Sequence, residues 1–420
     1  MTVTRLGVAE ASALILANAR ALAAEPVSLE LALGRVLAED VVSPVSLPPW
    51  DNSSMDGYAV RADDVRGASV SSPVKLAVIG TVAAGQRASR AVGAAEAMRI
   101  MTGAPVPDGA DSVVRVEDTD GGVDRVLIHD DRDLMRNIRQ RGEDVRGGAT
   151  VMRARTVVRA AQVGVLASVG CASPMVHRRP RVAILATGDE LVPVERFDEV
   201  MNGERIVSSN SYSLAAAVRE AGGEPVPLGI APDDPDEISR RLERARDYDL
   251  ILTSGGVSVG EFDFTRTVVE RLDGELELWR VRMRPGAPLG FGALFGKPWI
   301  GLPGNPVSAL VTFELFARPL IRVLGGFPLP HRRAVDVVVG EDIRLAAPLT
   351  HFLRVVLDRV DGGMTRARLT GAQSSGMLTS MALADALLVV PPEPLEVPSG
   401  TRLHAIPLGD SGNHSAHFPA

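Results

Sequence analysis

The sequence predicts an α/β multidomain protein: a doubly wound parallel-sheet domain joined to an N-terminal mixed α/β domain, an inserted β-rich domain and a C-terminal β domain. Three observations carry this expectation. Strand-like apolar runs alternate with helical segments between about 180 and 272. Short β-type runs separated by glycines occupy 56–147, and similar runs return after Gly325-Gly326. A proline-rich stretch at 43–49 separates the first helical segments from the first β-rich region.

Residues 5–24 and 28–37 have helical character, with Pro26 between them. In Ser43-Pro44-Val45-Ser46-Leu47-Pro48-Pro49 each proline pushes the residue before it into extended backbone, so the chain crosses to another domain here. Runs at 74–79, 97–101 and 112–116 read as strands, and 148–175 return to mixed helix and strand. The first domain is therefore expected to be discontinuous, 1–47 with 148–178, and 48–147 is inserted in it. In the doubly wound domain, 179–327, strands at 181–187, 226–230 and 250–253 alternate with three helices. The helix beginning at Ser209 stops at Gly222-Gly223, another covers 236–246, and the third runs through about 272. Ligands of such sheets sit at the carboxyl ends of the strands. Runs at 334–339, 354–357, 365–370, 386–390 and 401–406 make a barrel-like domain over 328–408, and the polar tail 409–420 is expected to be disordered.

A chain of 420 residues is too long for one ordinary core. Its formal charge of −7 gives no attraction to nucleic acid or an anionic membrane. Cys171 is the only cysteine, which excludes an internal disulfide and a cysteine-rich metal site. Glu10, Asn18 and Arg20 interrupt the N-terminal apolar stretch, and no apolar run approaches the roughly 18 residues of a membrane span. A cytoplasmic location is expected.

Four places combine glycine, acid and small polar residues in loops. The segment 253–263 (TSGGVSVGEFD) joins a strand to a helix, and successive N–H groups of such a glycine turn form an anion site, beside which Asp263 could hold a metal. Its Gly256-Val257-Ser258-Val259-Gly260 also fits the G-x-S-x-G pattern of serine hydrolases. A triad would need an acid and then a histidine downstream, and His331, His351, His404, His414 and His417 all lie in or beyond the β domain. Thr187-Gly188-Asp189-Glu190 ends the first strand of the sheet, a place suited to a metal or hydroxyl contact and equally to solvated surface. In Gly301-Leu302-Pro303-Gly304-Asn305-Pro306, Asn305 is an N-cap type and Pro306 a first helical residue, a helix end that needs no ligand to explain it but offers one to a phosphate. The fourth place is the pair 51–58 and 139–144, each an ordinary polar loop by itself. Carboxylates with anion-binding loops, and no histidine or cysteine cluster, suit a hard cation such as Mg²⁺ and argue against zinc. Arg280, Arg282 and Arg284 recur every second residue and would share one strand face, either solvated or presented to a polyanion.

At these residues the chain resembles the molybdopterin molybdenumtransferase family, to which the E domain of gephyrin and its plant counterpart belong. The segments 51–61 (DNSSMDGYAVR), 99–107 (RIMTGAPVP), 137–144 (NIRQRGED), 187–191 (TGDEL), 254–263 (SGGVSVGEFD) and 302–309 (LPGNPVSA) resemble its motifs in the family's order, and the likeness runs from about 5 to 406. The resemblance implies four domains, an elongated homodimer and an active site in a cleft between subunits. It implies that adenylylated molybdopterin and molybdate are converted, with Mg²⁺, to molybdenum cofactor and AMP. Asp56, Asp144, Glu190 and Asp263 would be catalytic, and Asp233 and Asp263 would hold the metal, with Asp234 able to take the part of Asp233. Thr187, Gly188, Asp189, Ser254, Gly255, Gly256, Ser258, Arg280, Arg284, Pro303, Asn305 and Pro306 would bind substrate. Where the family often has Lys-Pro-Gly-Lys-Pro, this chain has Arg284-Pro285-Gly286-Ala287-Pro288, which reshapes one positive charge and removes another. Rival readings are a scaffold that has lost the chemistry, a pterin carrier, and a molybdopterin adenylyltransferase acting one step earlier. The last is also a candidate partner.

Overall fold

A computed structural model describes residues 5–256, 264–359 and 364–409. Its centre is a seven-stranded sheet in the order Arg5–Leu6, Glu275–Val281, Pro288–Leu294, Lys297–Leu302, Leu250–Ser254, Arg181–Thr187, Glu224–Ala231. The last four run parallel to one another, as the alternation of strands and helices predicts. Pro288–Leu294 is antiparallel to both neighbours, so the sheet is mixed where the sequence suggested a purely parallel one. The cause is local: Phe295 and Gly296 both have positive φ, 55° and 69°, the two-residue turn that folds consecutive strands into a hairpin.

Helices cover both faces of the sheet. On one, Leu214 and Val218 of Ser209–Glu220 pack with Val307 and Val311 of Pro306–Thr312 and with Leu320 of Arg318–Leu324. On the other, Ile238 and Leu242 of Pro235–Glu243 meet Val268 and Val269 of Phe264–Arg271.

The N-terminus departs from the expected pattern. Arg5–Leu6 is a strand pairing in parallel with Glu275–Val281, and only Val8–Leu16 is helical, burying Ala11 and Ile15 in the core of the seven-stranded sheet. Within 28–37 only Leu29–Ala32 is helical, because Gly34 takes φ 76° and Val36 and Leu37 form β-bridges to Val157 and Val176. From Ala24 onward the chain joins the later segment. Ala24–Pro26 pairs with Met175–His177, Val41–Val42 with Thr150–Met152, and Ala32, Leu37, Val158 and Leu166 share one core. Residues 5–47 thus contribute to two cores in space.

Between these segments lies a five-stranded sheet in the order Ser112–Arg115, Gly57–Val60, Glu96–Ile100, Val74–Val82, Arg125–Ile128, apolar on both faces. At the C-terminus, Thr350–Arg359, Thr365–Leu369, Val335–Val339, Arg402–Pro407 and Ala386–Val390 close into a barrel, because the last strand pairs back with the first. Closure leaves these five strands no free edge pair. Met283–Arg284 adds to the barrel through Thr350-His351, so one short stretch ties sheet and barrel together. The expectation for the tail 409–420 falls, apart from Gly409, outside the described residues.

Candidate functional site

Where the parallel strands end, a cavity of about 420 Å³ opens. Thr187, Gly188 and Glu190 enter it from the end of Arg181–Thr187, and Ser254, Gly255 and Gly256 from the end of Leu250–Ser254. Asp233 follows Glu224–Ala231, while Pro303, Asn305 and Pro306 follow Lys297–Leu302. Parallel strands that stop together leave their loops converging on one spot, which is why segments far apart in sequence meet here.

One wall is acidic. Asp189 Oδ1 accepts from the Asp233 amide at 3.1 Å, and the Arg205 guanidinium donates to the Asp189 carbonyl. Burial, reinforced by the negative charges of Asp189 and Glu190, raises the Asp233 carboxyl above the usual aspartate range. Its neighbour Asp234 has other work: its Oδ1 accepts from the amides of Asp236 at 2.7 Å and Glu237 at 3.2 Å, capping Pro235–Glu243. Of the two aspartates the sequence left open, Asp233 faces the cavity.

A second part of the lining is the glycine turn. Gly255 and Gly256 have φ of 99° and 65°, and the Gly255 carbonyl accepts from Thr265 Oγ1 at 3.3 Å. A Cβ on Gly255 would stand 2.5 Å from the Thr187 carbonyl oxygen, a backbone atom that cannot swing aside. Gly255→Ala is therefore expected to cost about 1–3 kcal/mol of stability, read as a lower melting temperature by calorimetry. An unchanged melting temperature would show that the turn tolerates a side chain. Ser258 and Asp263 lie outside the described residues.

Asn305 and Pro306 line the cavity, but the helix they begin is not free to bind an anion in the simple way the sequence suggested. Pro306 has no N–H, and the Val307 amide donates to the Ser375 carbonyl at 3.1 Å. Ser375 follows a loop held by Arg354, which is wholly buried and donates to the carbonyls of Ala372, Gln373 and Ser374 and to Ser380 Oγ.

Asp56 and Asp144 do not line the cavity; they sit in the β-rich region. Asn52–Ser53 pairs with Ile138–Arg139, and Asp51 Oδ1 accepts from the Arg141 amide at 2.6 Å, so the two polar loops of the sequence form one structure. Both the backbone N–H and the Oγ1 of Thr102 donate to Asp56 Oδ1 at 2.7 Å, holding its carboxyl below the ordinary range. Thr102→Val is expected to raise the Asp56 pKa toward that of a free aspartate, measurable by carboxyl-carbon NMR; an unmoved pKa would mean the backbone donor suffices alone. Asp144 is exposed.

The arginine row behaves as the spacing predicts, with Val281 and Met283 buried while Arg282 and Arg284 are exposed and Arg280 half-buried. It does not line the cavity at the strand ends. Arg284 lines a separate space of about 240 Å³ with Arg344, His351 and Gln373. Burial lowers the His351 pKa, and Arg284 pushes the same way.

Two polar residues escaped sequence reading. Arg354 looked like any residue of an amphipathic strand. Asn210 lines the cavity at 7% exposure, inside the first turn of Ser209–Glu220. The run Ser208-Ser209-Asn210 before an apolar helix was the available signal, since small polar residues there commonly serve helix N-termini.

Three family descriptions match the chain in order: the MoeA N-terminal region (domain I and II) over 6–170, a probable molybdopterin binding domain over 183–323, and the MoeA C-terminal region (domain IV) over 336–408. Molybdopterin molybdenumtransferase 2 of Mycobacterium tuberculosis is 41% identical over 389 residues, covering 91% of this chain and 95% of that protein. The chain belongs to the molybdopterin molybdenumtransferase family. The molybdopterin molybdenumtransferase of a Nostoc species is 37% identical over 372 residues, 87% of this chain and 85% of the relative. The molybdopterin biosynthesis MoeA protein of Pyrococcus horikoshii superimposes with a TM-score of 0.78 at 31% identity, over 96% of this chain and 99% of that one. In a molybdenumtransferase frame, the cavity falls within the segment matched as molybdopterin-binding, Asp56 and Asp144 within the N-terminal match, and Arg354 within the C-terminal match. Membership of this family sets aside the serine hydrolase that the G-x-S-x-G pattern allowed. No helix among the described residues is long and apolar enough to cross a membrane.

Proposed function

We propose that this chain inserts molybdate into adenylylated molybdopterin, held in the cavity at the strand ends, and releases AMP in a Mg²⁺-dependent reaction in the cytoplasm. The observation carrying this reading is that one cavity is lined both by a glycine turn suited to phosphate and by Glu190 with Asp233, suited to a hard cation.

The donor set fits Mg²⁺. It offers carboxylate oxygens and no nitrogen or sulfur ligand, and among the described residues no three acidic, histidine or cysteine side chains form a ready-made cage. Mg²⁺ keeps several waters and is commonly held by one or two carboxylates together with substrate phosphate oxygens. Asp233, whose carboxyl is raised by burial and by two like charges, gains most from a cation nearby. When bound, the ion would offset charge on the pyrophosphate as AMP leaves. Glu190 would orient substrate or metal, Gly255-Gly256 would seat a phosphate, and Pro303 and Asn305 would wall off the pterin.

Asp56 and Asp144 are best explained by a homodimer in which a second copy carries them to this cavity. A mixture of Asp56→Asn and Asp233→Asn chains would then recover activity that neither has alone, because mixed dimers contain one intact site. No recovery would place both acids in the same chain's site or outside the chemistry. The reaction is tested by incubating the purified protein with adenylylated molybdopterin, Mg²⁺ and molybdate, following AMP release and reconstitution of a cofactor-free molybdoenzyme. Molybdate-dependent release that Asp263→Asn loses supports the transferase. Tight pterin binding without turnover would overturn it in favour of a carrier or scaffold, with Ala287, which stands where the family often has lysine, the first residue to restore. A molybdopterin adenylyltransferase is the natural supplier of the adenylylated substrate.

A further inference from the structure

We infer that Asn210 is the positioning residue that sets the width of the cavity, and so its affinity for the pterin ligand; this rests on the pterin-binding reading above. The geometry is specific. Asn210 Nδ2 donates to Ser254 Oγ and to the Gly304 carbonyl, both at 2.8 Å. One amide thus joins three walls: the start of Ser209–Glu220, the end of Leu250–Ser254 leading into the glycine turn, and the loop between Leu302 and Pro306. Ser254 Oγ also reaches the Pro303 carbonyl at 3.4 Å, so the staple runs on into the third wall.

Asn210 is poorly chosen for stability alone. Its Oδ1 is buried without a hydrogen-bond partner among the described residues, as is Thr187 Oγ1 on the neighbouring wall. A buried acceptor left unpaired is a standing cost to the fold, and such costs concentrate where function requires a fixed geometry. An apolar residue would fill the space without that cost but would leave the start of the helix without its hydrogen bonds to the other two walls. The Nδ2 bonds tie the start of the helix to two loops that are joined to each other through Ser254 Oγ and by the Gly255 amide donating to the Leu302 carbonyl at 3.1 Å, and all three segments line the cavity.

The test separates positioning from folding. Wild type, Asn210→Ala, Asn210→Asp and Ser254→Ala are each titrated with molybdopterin and melted in parallel. Asn210→Ala is expected to weaken binding roughly tenfold to a hundredfold, the loss expected of two hydrogen bonds, with a melting temperature close to wild type because the orphaned oxygen goes as well. Asn210→Asp keeps the shape, removes the donor and weakens binding at least as much; Ser254→Ala, which cuts one of the two bonds, falls between. In turnover, KM for the pterin rises while kcat is held. Wild-type binding with unchanged affinity in Asn210→Ala would overturn the inference alone, as would affinity that falls only in step with melting temperature across the three variants. Failure of the wild type to bind molybdopterin would instead overturn the reading of the cavity itself, and the inference with it.

Discussion

Asp233→Asn is expected to lower Mg²⁺-dependent AMP release by roughly a hundredfold to a thousandfold and, in the same protein, to raise the melting temperature when metal is absent. The two effects have one cause. Burial and the neighbouring charges of Asp189 and Glu190 raise the Asp233 carboxyl above its ordinary value of 3.8, so the folded protein binds that proton more tightly than the unfolded chain does. Stability contributed by the bound proton is fully present below the unfolded value and is lost as pH rises through the folded one. At neutral pH the ionised side chain therefore opposes folding. Asparagine removes the charge, and the variant's advantage should be absent below about pH 3.8 and grow as pH rises above it. Mg²⁺ reverses the ranking: it should raise the melting temperature of wild type and leave the variant's nearly unchanged. Thermal melts in EDTA and in Mg²⁺ across pH 4–8 check this without any turnover. Equal Mg²⁺ shifts in both proteins would remove Asp233 from the metal site.

Arg354→Met should destabilise the C-terminal barrel by about 2–4 kcal/mol, because four charge-assisted hydrogen bonds are lost together. Burial lowers the Arg354 pKa, and no carboxylate among the described residues pairs with it. Its charge is satisfied instead by the carbonyls of Ala372, Gln373 and Ser374 and by Ser380 Oγ. Its own amide and carbonyl are also bound to Gln373, at 2.8 and 3.2 Å. Methionine fills a similar volume but leaves the loop unanchored. The same loop presents the Ser375 carbonyl to the Val307 amide, so the helix beginning at Pro306, on the cavity's rim, should loosen with it. Lysine should not rescue, since a point charge cannot span several carbonyls as the planar guanidinium does. Calorimetry on the full chain is the right measurement, because a multidomain protein can show more than one transition. A barrel transition at the wild-type temperature would show that the loop holds itself.

The strands and turns of this fold were legible because they are written locally. Arg181–Thr187 and Ala386–Val390 match their apolar runs, and helix Ser209–Glu220 stops where Gly222 permits. Errors occurred where a neighbour overrode local preference. Arg5-Leu6 reads as helical beside Val8–Leu16 but becomes a strand because the edge of Glu275–Val281 is open to it. The hairpin at Phe295-Gly296 passed unread because only its glycine is a turn signal. The candidate site divides the same way. The glycine turn, Glu190 and Asp233 were found because their residue types are unusual in their places, whereas Asn210 and Arg354 are ordinary until their partners are known.

By itself, then, the sequence determined the alternation of elements, the chemical inventory of oxygen ligands and phosphate-seating turns, and the ordered motifs of the family, all of which depend on residues close together along the chain. Only the tertiary structure decided which acids meet. Asp189, Glu190 and Asp233 converge because two neighbouring parallel strands end side by side, while Asp56 and Asp144 lie in loops of the β-rich region, away from that cavity. It also decided that Asp234 caps a helix while Asp233 faces the cavity, that an asparagine staples three walls, and that a buried arginine is neutralised by carbonyls. Each of these depends on contacts between segments tens of residues apart, and such contacts exist only once the strands are in register and the cores have closed.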